Sequence, residues 1–87
     1  MEASAYLPSD GNGAGITATG DIARRGIVAV DPDVIPLGTR VYIPGYGTAV
    51  AADTGGAIRG NKIDLCMESY GEAIDFGRRS VEVYILN

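Results

Sequence analysis

Histidine and tryptophan are absent from the 87 residues, and cysteine occurs once, at Cys66. Without histidine, Ser-His-Asp and Cys-His nucleophilic chemistry is excluded, and so is any His-ligated zinc or haem. A lone cysteine forms no intramolecular disulfide and supplies no thiolate cluster, so Cys66 is expected as a small buried hydrophobe. A formal net charge of −4 leaves no basic stripe for a nucleic acid. No apolar run approaches the ~20 residues of a membrane-crossing helix. No charged-then-apolar leader opens the chain, so an export signal is expected to lie outside this segment. Any catalysis here has to rest on carboxylates, hydroxyls or lysine.

What is abundant is glycine, 13 of 87 residues, roughly twice the usual share. The backbone must turn sharply and often. Apolar residues make up 46%, ordinary for a globular fold and too many for a disordered segment. Strands are expected over residues 1–7, 26–30, 39–43, 48–53, 62–66 and, at the C-terminus, 80–86, with a short β-branched segment over 16–20. The run Gly26-Ile27-Val28-Ala29-Val30 is continuously apolar, which suits a strand buried on both faces. Pro44-Gly45-Tyr46-Gly47 is a turn signal between two alternating segments and predicts a hairpin. Residues 8–15 are dense in turn formers and read as a surface loop. Ser69-Tyr70-Gly71-Glu72 fits a capping box, with Gly77 as the C-terminal cap of one short helix. About six short strands and one short helix, in one domain over residues 1–87, predict a mainly β fold. Closing into a small barrel removes long exposed edges.

Asp31, Asp53 and Asp64 share a setting that the other acids lack. The first two end apolar strands and the third lies between Ile63 and Leu65. Carboxylates among aliphatics are either turn formers or are held there for chemistry. Asp31-Pro32 and Asp53-Thr54-Gly55 are good turn initiators, whereas no turn residue follows Asp64. If the three converge, mutual repulsion keeps one protonated near neutral pH, as a general acid for glycosidic cleavage requires. Divalent-metal binding is the rival use, but the spacing matches no metal loop and Lys62 adjoins the cluster. No metal and no cofactor are expected.

Other residues carry weaker signals. Gly55-Gly56 lacks the ending of a phosphate loop, and either lets backbone approach a substrate or makes a turn. Thr17 and Thr19 offer hydroxyls to a sugar, and Tyr6, Tyr42 and Tyr46 offer rings to stack on it, although strand and core roles account for the same residues. Gly26–Pro32 and Thr48–Thr54 echo each other, each a small apolar strand delivering an aspartate.

Together these blocks resemble the three-aspartate (3D) domain. The resemblance runs through Ile16-Thr17-Ala18-Thr19-Gly20, Val28-Ala29-Val30-Asp31-Pro32 and Val34-Ile35-Pro36-Leu37-Gly38-Thr39. It continues through Ala52-Asp53-Thr54-Gly55-Gly56-Ala57-Ile58, Ile63-Asp64-Leu65 and Phe76-Gly77-Arg78-Arg79. Several ordered blocks over nearly the whole chain are specific, and the three name-giving acids fall on Asp31, Asp53 and Asp64. The resemblance implies a six-stranded double-psi β-barrel related to the catalytic domain of membrane-bound lytic transglycosylase A. It also implies the muralytic, resuscitation-type activity of Gram-positive stationary-phase survival proteins. The substrate would be peptidoglycan glycan strands, the location secreted or cell-wall associated, and the oligomeric state is left open. Asp64 would be the acid-base catalyst, assisted by Asp31 and Asp53, with Thr17, Thr19, Tyr6, Gly55, Gly56 and Lys62 contacting substrate. Cys66-Met67 stand where the family pattern leads one to expect an aromatic residue.

Overall fold

In a computed structural model that describes residues 1–8 and 17–86, the strands follow the apolar segments of the sequence. They are β1 (Glu2–Tyr6), β2 (Ile27–Val30), β3 (Arg40–Ile43), β4 (Gly47–Asp53) and β5 (Lys62–Cys66). After the helix α1 (Tyr70–Phe76) come β6 (Arg79–Ser80) and β7 (Tyr84–Ile85). One sheet holds all seven in the order β6-β1-β5-β2-β4-β3-β7.

Six strands were expected, and the described residues hold seven. The C-terminal segment does not run as one strand over residues 80–86. It breaks into β6, paired with β1, and β7, paired with β3 at the far edge. Among the described residues no pairing joins β6 to β7, so the sheet is a curled half-barrel and not a ring closed by hydrogen bonds. The β-branched segment over residues 16–20 does not make a strand among the described residues. Residues 17–20 form a turn in which the Gly20 amide donates to the Thr17 carbonyl, and residue 16 lies outside the described residues. The loop expected from Pro8 to Gly15 falls, beyond Pro8 itself, outside them too.

Burial follows the two faces of the sheet. Ala3, Val28, Val30, Val41, Ile43, Ile63 and Leu65 belong to the main core on one face. Each large aliphatic sealed there contributes roughly 1.5–3 kcal/mol. Tyr6, Ile27, Ala29, Ala52 and Cys66 form a smaller cluster on the other face, against which Val50 and Ile58 pack. The β2 run is therefore buried on both faces, as its unbroken apolar sequence requires. Cys66 is buried within that smaller cluster.

The hairpin joins β3 to β4 in antiparallel register. Its turn places Gly45 and Gly47 at φ of 85° and 119°, in the left-handed region that favours glycine. The helix forms as its caps dictate. Ser69 accepts from the Glu72 amide, and the Glu72 carboxylate accepts from the Glu68 amide. Arg25 ties the helix to the hairpin, bonding Glu72 at 2.9 Å and lying 4.4 Å from the Tyr46 ring centroid.

Candidate functional site

On the face of the smaller cluster, one row of residues crosses four strands. Ser4 on β1 pairs with Asp64 on β5, Asp64 with Ala29 on β2, and Ala29 with Asp53 on β4. Paired residues present their side chains to the same face, so the row reads serine, aspartate, alanine, aspartate. The backbones of the two acids are two strand spacings apart, ~9–10 Å. Ala29 is the short member between them and leaves the space open. A cleft of about 130 Å³ sits there, lined by Asp53, Asp64, Ala29, Tyr6, Thr54, Gly55 and Ile58.

Asp53 reaches this row through an irregularity. The β2–β4 register passes from Val28–Ala51 to Ala29–Asp53, so Ala52 is an extra residue on β4. Such a bulge re-aims the side chains that follow it. Without it, Ala52 would oppose Ala29 and Asp53 would turn to the other face. The sequence carries no signal for this bulge.

Tyr6 donates to one oxygen of Asp53 at 3.4 Å, and the amides of Ala18 and Thr54 donate to the other at 3.0 and 2.9 Å. Burial, with Cys66, Asp53 and Asp64 nearby, pushes the Tyr6 phenol well above its ordinary range. It therefore stays protonated and remains a donor. Ser4 donates to Asp64 at 2.9 Å, a contact between residues 60 apart that sequence reasoning missed.

Asp31 is not in this row. It lines an adjoining cleft of about 380 Å³ with Val30, Pro32, Asp33, Thr54, Gly55, Gly56, Ile58 and Arg59. Thr54, Gly55 and Ile58 line both clefts, so the two adjoin, with Asp31 opening on one and Asp53 and Asp64 on the other. They do not gather within a few ångströms as a mutually repelling trio. The carboxylate of Asp31 accepts the Gly60 amide at 2.8 Å and the Asp33 amide at 3.0 Å. Those donors, chiefly Gly60, hold its carboxyl below the ordinary carboxylate value. Asp31 is thus a turn former that stays charged. The echo between β2 and β4 has a simple origin, because the two run parallel side by side and deliver their aspartates at the same edge.

The loop over residues 54–61 forms the groove wall. Ile58 packs down on the smaller cluster, and Gly55 lies against it so closely that an added Cβ would stand 3.0 Å from Ile58 Cγ1. Gly55 therefore serves close approach within the wall. Gly60 takes φ of 63° to aim its amide at Asp31. Lys62 shares the groove face of β5 with Asp64 but lines a neighbouring cleft with Arg78.

Thr17 and Thr19 line neither acid-bearing cleft. Thr17 is buried and accepts the Asp21 amide, while Thr19 bonds Asp21 and the Ala52 carbonyl, so both hydroxyls brace the turn beside Asp53. Tyr46 is core, its hydroxyl donating to the Cys66 carbonyl at 2.6 Å. Tyr42 stands exposed beside Tyr84 on the β3–β7 edge. Among the described residues no group of three or more Asp, Glu, Cys or His side chains has metal-binding geometry. No helix there is long and apolar enough to cross a membrane.

The sequence profile of the 3D domain matches residues 26–87. The cell wall-binding protein YocH of Bacillus subtilis is 52% identical over 100% of this chain and 32% of its own length. The putative cell wall shaping protein YabE of the same species is 44% identical, again over 100% of this chain and 22% of its own length. The chain thus spans a third or less of these relatives. Among solved structures, the Escherichia coli protein MltA with bound chitohexaose superposes with a TM-score of 0.67 at 23% identity, over 83% of this chain and 27% of that one. The lytic transglycosylase LtgG of Burkholderia pseudomallei gives 0.53 at 22% identity, over 83% and 27%. At such identities the likeness is one of fold.

Proposed function

This chain belongs to the 3D domain family, and we propose that residues 1–87 form one such domain, a double-psi barrel in plan, that acts on peptidoglycan. The proposed reaction is lytic transglycosylation, the non-hydrolytic cleavage of the β-1,4 bond between N-acetylmuramic acid and N-acetylglucosamine. The observation that carries it is the row in which Asp64 and Asp53 flank the open space over Ala29.

In this reading Asp64, protonated, gives its proton to the bridging oxygen as the bond breaks through an oxocarbenium-like state. The carboxylate so formed takes the proton of the muramic O6 hydroxyl, whose oxygen closes on the anomeric carbon to give a 1,6-anhydro end. One carboxyl serves both steps, so no second carboxylate is needed at the ~5 Å of a retaining nucleophile. Ser4 orients Asp64 by its hydrogen bond, and Asp53, steadied by three donors, offers a fixed carboxylate to the positive charge developing on the sugar ring. Asp31, charged in its own cleft, binds sugar hydroxyls further along the groove. The likeness to MltA supports a groove that accepts a glycan strand, and cell-wall names among the relatives support an extracytoplasmic location.

A second reading has its own support. The relative at 52% identity is named for binding the cell wall, so the same groove can serve to hold a strand without turnover. Mass spectrometry of purified peptidoglycan incubated with the chain separates the two, since an anhydro product lacks the water that a hydrolase adds. Release of anhydro-muropeptides by wild type, lost in Asp64→Asn, is the expected result. General acid-base assistance is worth ~10²–10⁴ in rate, and one residue doing both steps should sit at the upper end. Co-sedimentation with peptidoglycan and no released product would favour the binding module, and near wild-type release by Asp64→Asn would remove Asp64 from its role.

A further inference from the structure

Past Ser4, the groove face carries charge of both signs around a small space. Glu2, Lys62 and Arg78 line a cleft of about 70 Å³ together with Ser4, Ala57 and Ile58. Glu2 is the register partner of Lys62, two residues before the Ser4–Asp64 pair on the same face. Ile58 lines this cleft and the acid cleft alike, so the two adjoin. All three charged residues are exposed, and among the described residues the salt bridge present is Arg25–Glu72, which involves none of them.

A neutral amino sugar gives these charges nothing to pair with. A short peptide with a carboxylate and an ammonium a few bonds apart matches them, the two cations taking the anion and Glu2 the cation. Resting on the reading that the acid row takes a peptidoglycan strand, we propose that this cleft is the subsite for the charged peptide borne on that strand. Lys62 lies two residues along β5 from Asp64, ~7 Å, near enough for a peptide linked to a sugar in the acid cleft. The subsite makes peptide-bearing glycan the preferred ligand over bare glycan.

Titration of the ¹⁵N-labelled chain tests this with three probes. They are a disaccharide-tetrapeptide containing a diamino acid, the same disaccharide without its peptide and with its lactyl carboxyl capped as a neutral methylamide, and the free tetrapeptide. The peptide-bearing probe should move the amide signals of residues 2, 62 and 78 and bind about tenfold or more tighter than the bare disaccharide, the scale of a charge-assisted contact. Lys62→Gln with Arg78→Gln should erase that advantage, bringing the peptide-bearing probe to the affinity of the bare disaccharide. Equal affinity of the two sugars overturns the subsite while the glycan reading stands. Free tetrapeptide moving residues 62 and 78, with neither sugar moving residues 53 and 64, supports the subsite and fails the glycan reading. No response at residues 62 and 78 to either peptide-bearing probe overturns the subsite.

Discussion

Asp31 accepts the Gly60 and Asp33 amides, and these bonds favour its charged form over that of an aspartate in the unfolded chain. A carboxyl with its folded pKa depressed below the unfolded value of 3.8 stabilises the fold above that pH, and the contribution fades as pH falls through the folded value. Asp31→Asn should therefore be less stable than wild type at pH 7, with the gap closing below about pH 4. Urea denaturation at pH 7, 5 and 3 reads this directly, and a gap independent of pH would show that the Asp31 charge is not what the turn uses. Tyr6 differs in kind, because its raised phenol remains a donor to Asp53 throughout the range in which an ordinary phenol is protonated.

Among the elements, α1 has only seven residues and no fully buried side chain, so its caps matter more than its packing. Ser69→Ala removes the acceptor for the Glu72 amide and should cost about 1 kcal/mol. Chemical denaturation should show that loss with product release from peptidoglycan unaffected, since the helix does not line the acid cleft. The β2–β4 pair carries the opposite emphasis. Its bulge brings Asp53 into line with Asp64, and Ala29 keeps the gap between them. Ala29→Val adds two methyl groups at a position that lines the cleft and also packs in the smaller cluster. The added volume should cost about 1–3 kcal/mol in denaturation, while glycan cleavage or binding by the folded variant falls sharply. Unchanged binding would mean that the strand does not enter the row.

Across the whole molecule, two tyrosines are sealed in the two apolar clusters, Tyr46 in the main core and Tyr6 in the smaller one. Burial raises both phenols above the ordinary 10.0. A group whose folded pKa is raised contributes stability that is whole below the unfolded value and lost as pH rises beyond it. The fold should hold its melting temperature up to about pH 10 and lose it steeply above, followed by circular dichroism. Tyr6→Phe, which cannot ionise, should flatten part of that alkaline loss. The same scale explains the short edge strands: β6 and β7 have two residues each, too few to template pairing with another chain.

Local chemistry in the sequence determined the first five strands, the hairpin, the helix with its Ser69 and Gly77 caps, and Asp64 as an acid without a turn to make. These are short-range matters, settled by apolar period, glycine and capping residues within a few positions of each other. The tertiary structure decided the seven-strand order, the break after Ser80, and the parallel β1–β5 pairing that sets Ser4 on Asp64 across 60 residues. It also decided that Asp31 stands apart under the Gly60 amide, that the Thr17 and Thr19 hydroxyls brace the turn beside Asp53, and that Glu2, Lys62 and Arg78 share a cleft. A side-chain period of two fixes which residues share a face within one strand, but not which strand lies beside it. That choice depends on loop closure and on how two apolar faces pack, and a single extra residue at Ala52 is enough to turn Asp53 from one face of the sheet to the other.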